Sequence, residues 1–163
     1  MAPLVTAEHL RQVLDYDQET GKFFWKAPRS NVVKIGDEAG CVNHYGYHVI
    51  SIACRYYRAN RLAWLYVYGE WPKNYVDHIN GVRLDNRIAN LRDVPAKVNA
   101  ENRKGPQKDN KVGVLGVSKK RKRWAARVKT EGKTKHLGCF DTPEEAHQAY
   151  LSAKRQIHVG CTI

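Results

Sequence analysis

Between Arg103 and His136 the chain carries 13 basic side chains and two acidic ones, Asp109 and Glu131. A stretch so charged cannot be buried on every side, because unpaired charges are costly to desolvate. It must keep one face in water and lay the other on a core. The sequence offers such a division. Trp124, Ala126 and Val128 alternate with Arg123, Ala125, Arg127 and Lys129, and alternate residues of a strand share a face. Gly113 to Ser118, Arg123 to Lys129 and Lys135 to Phe140 read as three strands, with Gly132 at the second turn. Asp141-Thr142-Pro143-Glu144-Glu145 then opens a helix: it holds an N-cap candidate, a proline near the first turn and acids that favour the dipole. Ala146, Ala149, Tyr150 and Ala153 share one face of it. The expectation is a three-stranded antiparallel sheet packed on one helix, basic on its open side.

The rest of the chain is nearly neutral. Of the 28 basic and 16 acidic residues among 163, residues 103–163 hold 15 and 5, leaving 13 and 11 for residues 1–102. A field of this sign attracts polyanions over about 8 Å at physiological salt. Its interleaving with β-branched residues and a tryptophan is not that of an amphipathic helix, which favours nucleic acid over a membrane surface. A solvated basic face without a partner stays open, as does an RNA-binding accessory role. No run of 18 apolar residues occurs, which argues against a membrane-spanning helix. The start of the chain has no basic-then-apolar signal pattern, so a cytoplasmic location is expected. Cys41, Cys54, Cys139 and Cys161 form no Cys-x-x-Cys pair, so four reduced thiols are expected, two of them buried in strands, rather than a zinc site.

Before the basic block the apolar stretches are short. Thr6 to Leu14 reads as a helix with Thr6 as its cap, Asp17 to Gly21 as a turn and Phe23 to Trp25 as a strand. Gly40 to Ile52 and Arg55 to Arg58 fit a hairpin; Asn60 to Tyr68 fits a helix stopped by Gly69 and Pro72. Tyr75 to Ile79 is a short strand, Asn80 to Asn90 a polar loop, Leu91 to Val94 a strand and Pro95 to Asn102 a helix. Arg103 to Lys111 reads as a linker.

Asp77 and His78 end the short strand, Asn90 lies at the loop's return, and Asn99 falls on the helix. If strand, loop and helix fold together, Asp77, His78 and Asn99 can converge. Phosphodiester hydrolysis needs such a set. An imidazole is the natural base near neutral pH. A hard divalent cation, wanting oxygen ligands and open positions, offsets charge on the phosphate. Asp77 and Asn99 would supply two oxygens and leave that room. An Asp-His pair at a strand end is also an ordinary surface feature, and asparagines in loops are ordinary turn residues.

Asn60-Arg61-Leu62-Ala63-Trp64, Gly69-Glu70-Trp71-Pro72, Val76-Asp77-His78-Ile79-Asn80-Gly81, Asp85-Asn86-Arg87, Asn90-Leu91-Arg92 and Asn99-Ala100-Glu101-Asn102 together resemble the HNH nucleases. The branch is the phage type, often found as free-standing or homing endonucleases. The resemblance covers about 60–104. It implies a ββα-metal finger binding one divalent ion, Mg²⁺ or Mn²⁺. It makes His78 the general base and Asp77 and Asn99 the metal ligands. Asn90 would hold the loop and help orient the His78 ring. Asn60 stands where relatives often have histidine, which affects only a structural or DNA-facing contact. Residues 5–58 look like the leader that often precedes such nucleases, with packing support or DNA contact as its role.

Gly116-Val117-Ser118, Trp124-Ala125-Ala126, Leu137-Gly138-Cys139-Phe140-Asp141 and Glu144-Glu145-Ala146 with Ala149-Tyr150 resemble the APETALA-type DNA-binding domain over about 112–158. In that family the sheet reads the major groove, which implies DNA contacts from Lys119, Lys120, Arg121, Lys122 and Arg123 in a loop, and from Arg127, Lys129, Lys135 and His136 in strands. Trp124 is expected in the core.

The whole is expected to be an α+β chain: an N-terminal α/β leader over 1–58, a ββα-metal nuclease over 59–104, a linker over 105–111 and the sheet-and-helix DNA-binding domain over 112–163. The implied function is a metal-dependent endonuclease on double-stranded DNA, leaving a 5′-phosphate and a 3′-hydroxyl. It would nick as a monomer or cut both strands as a homodimer. The alternative is a non-catalytic DNA-binding protein with the finger as scaffold.

Overall fold

The computed structural model describes residues 5–28, 32–103, 105–106, 110–158 and 160–162. Residues 1–4, and residues 104 and 107–109 of the expected linker, lie outside the described residues. The chain divides into two compact units, 1–95 and 96–163. The architecture is α+β, as the sequence predicts.

In the first unit, α1 (Ala7–Val13) is capped by Thr6, whose hydroxyl accepts from the His9 N–H. The helix ends early, because Leu14–Asp17 is a strand, β1, paired antiparallel with β2 (Lys22–Trp25). Sequence reading missed β1, since Leu14 also continues the apolar face of the helix. The Asp17 carboxylate takes the Glu19 and Thr20 N–H groups and closes the turn. A second sheet orders β3 (Cys41–Val42), β4 (His48–Ile52) and β5 (Arg55–Arg58). α2 (Ala59–Tyr68) buries Leu62, Ala63 and Leu65 and stops at Gly69, whose φ of 79° is the left-handed cap that favours glycine. Leu10, Leu14, Phe23, Ile50, Leu62 and Leu65 form the core. Beyond it, β6 (Tyr75–His78) pairs antiparallel with β7 (Leu91–Val94), so that His78 faces Leu91 and Asp77 faces Arg92 in register.

In the second unit, α3 (Ala96–Glu101) precedes the sheet. Its strands are β8 (Val117–Lys120), β9 (Arg123–Thr130) and β10 (Lys133–Phe140), with β9 in the middle. α4 (Pro143–Ile157) covers one face. Thr142 and Glu145 close its start reciprocally as a capping box. Val117, Ala126, Val128, Ala146 and Tyr150 are the core, and Trp124 packs against it half-buried.

Two expectations need correction here. Among the described residues no cysteine is buried: Cys41 and Cys54 are exposed, Cys139 and Cys161 half-buried. Lys119 to Arg123 is not a loop. Lys119 and Lys120 end β8 and Arg123 begins β9, so the turn is only Arg121-Lys122, made tight by the positive φ of Arg121.

Candidate active site and basic sheet face

The β6–β7 hairpin presents Asp77 and His78 side by side at its inner end, 7% and 5% exposed. Two buried polar groups this close must be satisfied by neighbours. The guanidinium of Arg92, cross-strand from Asp77, donates from Nε and Nη2 to Asp77 Oδ2 at 3.0 and 2.8 Å. His78 Nε2 lies 3.1 Å from Asn86 Oδ1. With a carbonyl oxygen as partner, Nε2 carries the hydrogen and the lone pair sits on Nδ1. Burial, foremost, holds the His78 pKa below the ordinary imidazole value; the Asn86 bond and the charges of Asp77 and Asp85 oppose it, and Arg83 adds to it. The ring is therefore kept in its neutral, proton-accepting form.

Asn90 works elsewhere in the loop. Its carbonyl oxygen accepts from the Asn80 N–H, and its amide donates to Asn80 Oδ1 and the Asp85 carbonyl. It ties the two ends of the 79–90 loop together. The side chain meeting the His78 ring nitrogen is Asn86, which corrects the expectation that Asn90 orients the ring. The physical reason is that both ends of the Asn90 amide are already engaged by Asn80 and Asp85.

Asn86 is itself held from behind. Its carbonyl accepts from the Tyr16 hydroxyl at 2.7 Å in a buried hydrogen bond. A Cβ on Gly21, in the β1–β2 turn, would lie 2.5 Å from the Arg87 nitrogen and 2.6 Å from the Asn86 carbonyl carbon. The N-terminal hairpin thus backs the loop that fixes the histidine. Asp85 adds a clamp: its carboxylate accepts from Arg87 Nε and Nη2 and from Asn80 Nδ2. The Arg87 bonds, first among its causes, bring the Asp85 pKa down to about 2. Asn60 proves to be a structural residue, 3% exposed, donating to the Val76 carbonyl and so bracing α2 on β6.

Asn99 stands on α3 in the second unit, half-buried. Sequence reasoning gave no role to Asn86, Arg92, Tyr16 or Gly21. The Asp85-Asn86-Arg87 and Asn90-Leu91-Arg92 words carried the signal for the first two. The other two act through the fold of a segment far from the loop in sequence.

On the second unit's sheet, register sorts the basic residues. Lys120 faces Arg123, and His136 faces Arg127, across adjacent strands. Residues directly opposite share a face, so Lys120, Arg123, Arg127, Lys129 and His136 are gathered on the side away from α4, all exposed. Arg123 Nε is 2.9 Å from Asp141 Oδ1. Arg121 and Lys122 stand in the turn, at one end. Lys119 is opposite Trp124, with its ammonium 5.5 Å from the ring centroid, and Lys135 is opposite Val128. Those two belong to the other face, so Lys135 does not share a face with Arg127 and Lys129 as neighbouring strand positions.

The HNH endonuclease family matches residues 57–101, from β5 to the end of α3. Protein 3.8 of Escherichia phage T7 is 34% identical over 110 residues, which cover 64% of this chain and 89% of that protein. No solved structure matches the chain. No helix among the described residues is long and apolar enough to cross a membrane. The chain therefore belongs to the same family as phage T7 Protein 3.8, and its residues 57–101 are a domain of the HNH endonuclease type.

Proposed function

We propose that the chain is a metal-dependent endonuclease acting on double-stranded DNA. The observation that carries the reading is His78: a buried imidazole with Nε2 fixed by Asn86 and burial favouring its neutral form, beside a buried carboxylate on an HNH hairpin. His78 Nδ1 takes a proton from water, the water oxygen attacks phosphorus, and the bond to the departing 3′-oxygen breaks, that oxygen taking its proton from solvent water. The ends are a 5′-phosphate and a 3′-hydroxyl. Asn86 keeps the ring in one tautomer and orientation throughout. Asp77 and Asn99 are the oxygen donors assigned to Mg²⁺ or Mn²⁺. Their chemistry suits a hard ion. Among the described residues no group of three His, Cys, Asp or Glu side chains is placed to hold one. The ion, when bound, supplies positive charge to the phosphate oxygens and the leaving group.

The outer face of the second unit's sheet, with Lys120, Arg123, Arg127, Lys129 and His136, is the targeting surface in this reading. Its support is the match between a three-stranded sheet on one helix and the APETALA-type resemblance of 112–158. One finger attacks one strand, so a monomer nicks and a homodimer cuts both.

Supercoiled plasmid with Mg²⁺ or Mn²⁺ tests the proposal. The parent protein converts it to nicked circles and EDTA stops the reaction. His78→Ala loses on the order of 10²–10⁴-fold in rate while still binding DNA. A purified His78→Ala protein that cuts at the parent rate overturns the assignment. One observation favours the alternative of a non-catalytic DNA-binding protein: Arg92 already neutralises the Asp77 carboxylate. In that reading plasmid stays supercoiled with either metal.

A further inference from the structure

Three arginines of the first unit stand in a row that ends at His78. Arg61 lies with Cζ 5.6 Å from the Trp71 ring centroid and donates from Nη1 to the Asn74 carbonyl. Arg58 follows, at the end of β5, with Cζ 4.3 Å from the Tyr47 centroid. Arg83 shares that ring at 5.1 Å and is braced by the Tyr45 carbonyl at 2.8 Å. The Tyr47 ring lies 6.4 Å, centre to centre, from the His78 ring. Beside Arg58 and Arg61 the surface is hollowed by a cavity of about 380 Å³, lined also by Arg55, Tyr56 and Trp71.

The charges in this row act on one another. Burial foremost lowers the Arg61 pKa; Asp93 opposes the shift and the neighbouring Arg58 charge adds to it. Asp93 is itself spent on the Lys73 and Asn74 N–H groups, at 2.8 and 2.9 Å. Among the described residues no carboxylate forms an ion pair with Arg58 or Arg83. Guanidinium groups lined up this way repel, and stacking on aromatic rings holds them in place with their N–H edges available. A string of anions spaced along the row would relieve the repulsion.

We propose that Arg61, Arg58 and Arg83, set on Trp71 and Tyr47, form a track for the sugar-phosphate backbone of duplex DNA and lead one strand to His78. The track lies within the first unit, whereas the basic sheet face belongs to the second. It gives Tyr47, outside the matched residues 57–101, a part in holding substrate, as the ring on which Arg58 and Arg83 rest. The assignment of DNA rests on the endonuclease reading; the anion track itself rests on the arginine geometry.

The test uses the full-length chain carrying His78→Ala, so that binding is read without cleavage. Fluorescence anisotropy on a 30-base-pair duplex is recorded across a salt series. Adding Arg58→Gln, Arg61→Gln and Arg83→Gln together is expected to flatten the log–log salt slope by about 2 to 3, since each phosphate contact contributes roughly 0.9. Near 0.1 M salt that is a loss of about a hundredfold or more in affinity. Tyr47→Leu, with the ring removed, weakens binding in the same direction, and Tyr47→Phe leaves it unchanged. Arg58→Gln alone, whose exposed side chain makes little contact with the core, flattens the slope by about one contact and guards against misfolding of the triple variant. Unchanged slope and affinity in Arg58→Gln and in a triple variant that unfolds at the parent temperature would overturn the track. So would a loss confined to duplex RNA of the same sequence. Failure of the nuclease reading looks different: the parent protein would leave plasmid supercoiled with either metal, whatever the arginine variants do to binding.

Discussion

At the scale of single residues, the site depends on a relay of support. Tyr16 and Gly21 hold the backbone of Asn86, and Asn86 holds His78. Asn86→Ala removes the side-chain oxygen that meets Nε2. Outer partners of this kind are worth about 10–100-fold in activity, so Asn86→Ala should nick plasmid that much more slowly. Its DNA affinity should stay near the parent value, and a parallel loss of affinity would count against a purely orienting role. Asp85 makes a second prediction. Its folded pKa of about 2 is depressed, first by the Arg87 bonds, below the ordinary value near 3.9. A depressed carboxylate stabilises the fold above its unfolded pKa and loses that contribution as pH falls through the folded one. Urea midpoints of the parent should therefore drop between about pH 4 and pH 2 more steeply than those of Asp85→Asn. Equal slopes in that window would show that the clamp adds nothing to the loop's stability.

Elements owe their positions to a few backbone constraints. Gly116, just before β8, has a φ of 77°, and a Cβ there would sit 2.1 Å from Cδ2 of the buried Tyr150 ring. Gly116→Ala meets both a left-handed penalty and an overpacked contact, about 2–4 kcal/mol together. The urea midpoint should fall by that free energy divided by m, with m itself unchanged. A shift under about 0.5 kcal/mol would mean that α4 can move off the sheet freely. The sequence made β9 and the start of α4 legible, because alternation and a Thr-Pro-Glu-Glu cap are local signals. It hid β1, because a strand of four residues beginning on an apolar helix position has no period of its own. It placed β8 four residues early, since the apolar pair Val114-Leu115 just before the strand has a strand's composition. The bulge between His136 and Gly138 was equally invisible. The place of Asp77 and His78 at the end of β6, and of Asn90 at the loop's return, could be read from motif order, whereas the Asn86 contact required knowing how the loop folds back on β6.

Across the whole molecule, the formal charge of +12 is concentrated in one stretch, and the sheet register decides which of those charges can act together. Lys120, Arg127 and Lys129 share the exposed face away from α4, while Lys135, the residue opposite Val128, does not. A composition argument treats all four lysines and arginines alike, since each adds one charge. A face argument does not. If the sheet lies on DNA by its open side, changing Lys120, Arg127 or Lys129 to Gln should flatten the salt dependence of duplex binding by about 0.9 per residue. Lys135→Gln should leave the slope almost unchanged, with only a small loss from the general field, screened over about 8 Å. Arg123 should fall between the two groups, because Asp141 holds its guanidinium in an exposed pair that is worth little and can be exchanged for phosphate. Slopes measured for these five variants in the full-length chain separate the two arguments. Equal losses at Lys135 and Lys129 would mean that net charge alone draws the protein to DNA, and that the sheet has no docked face.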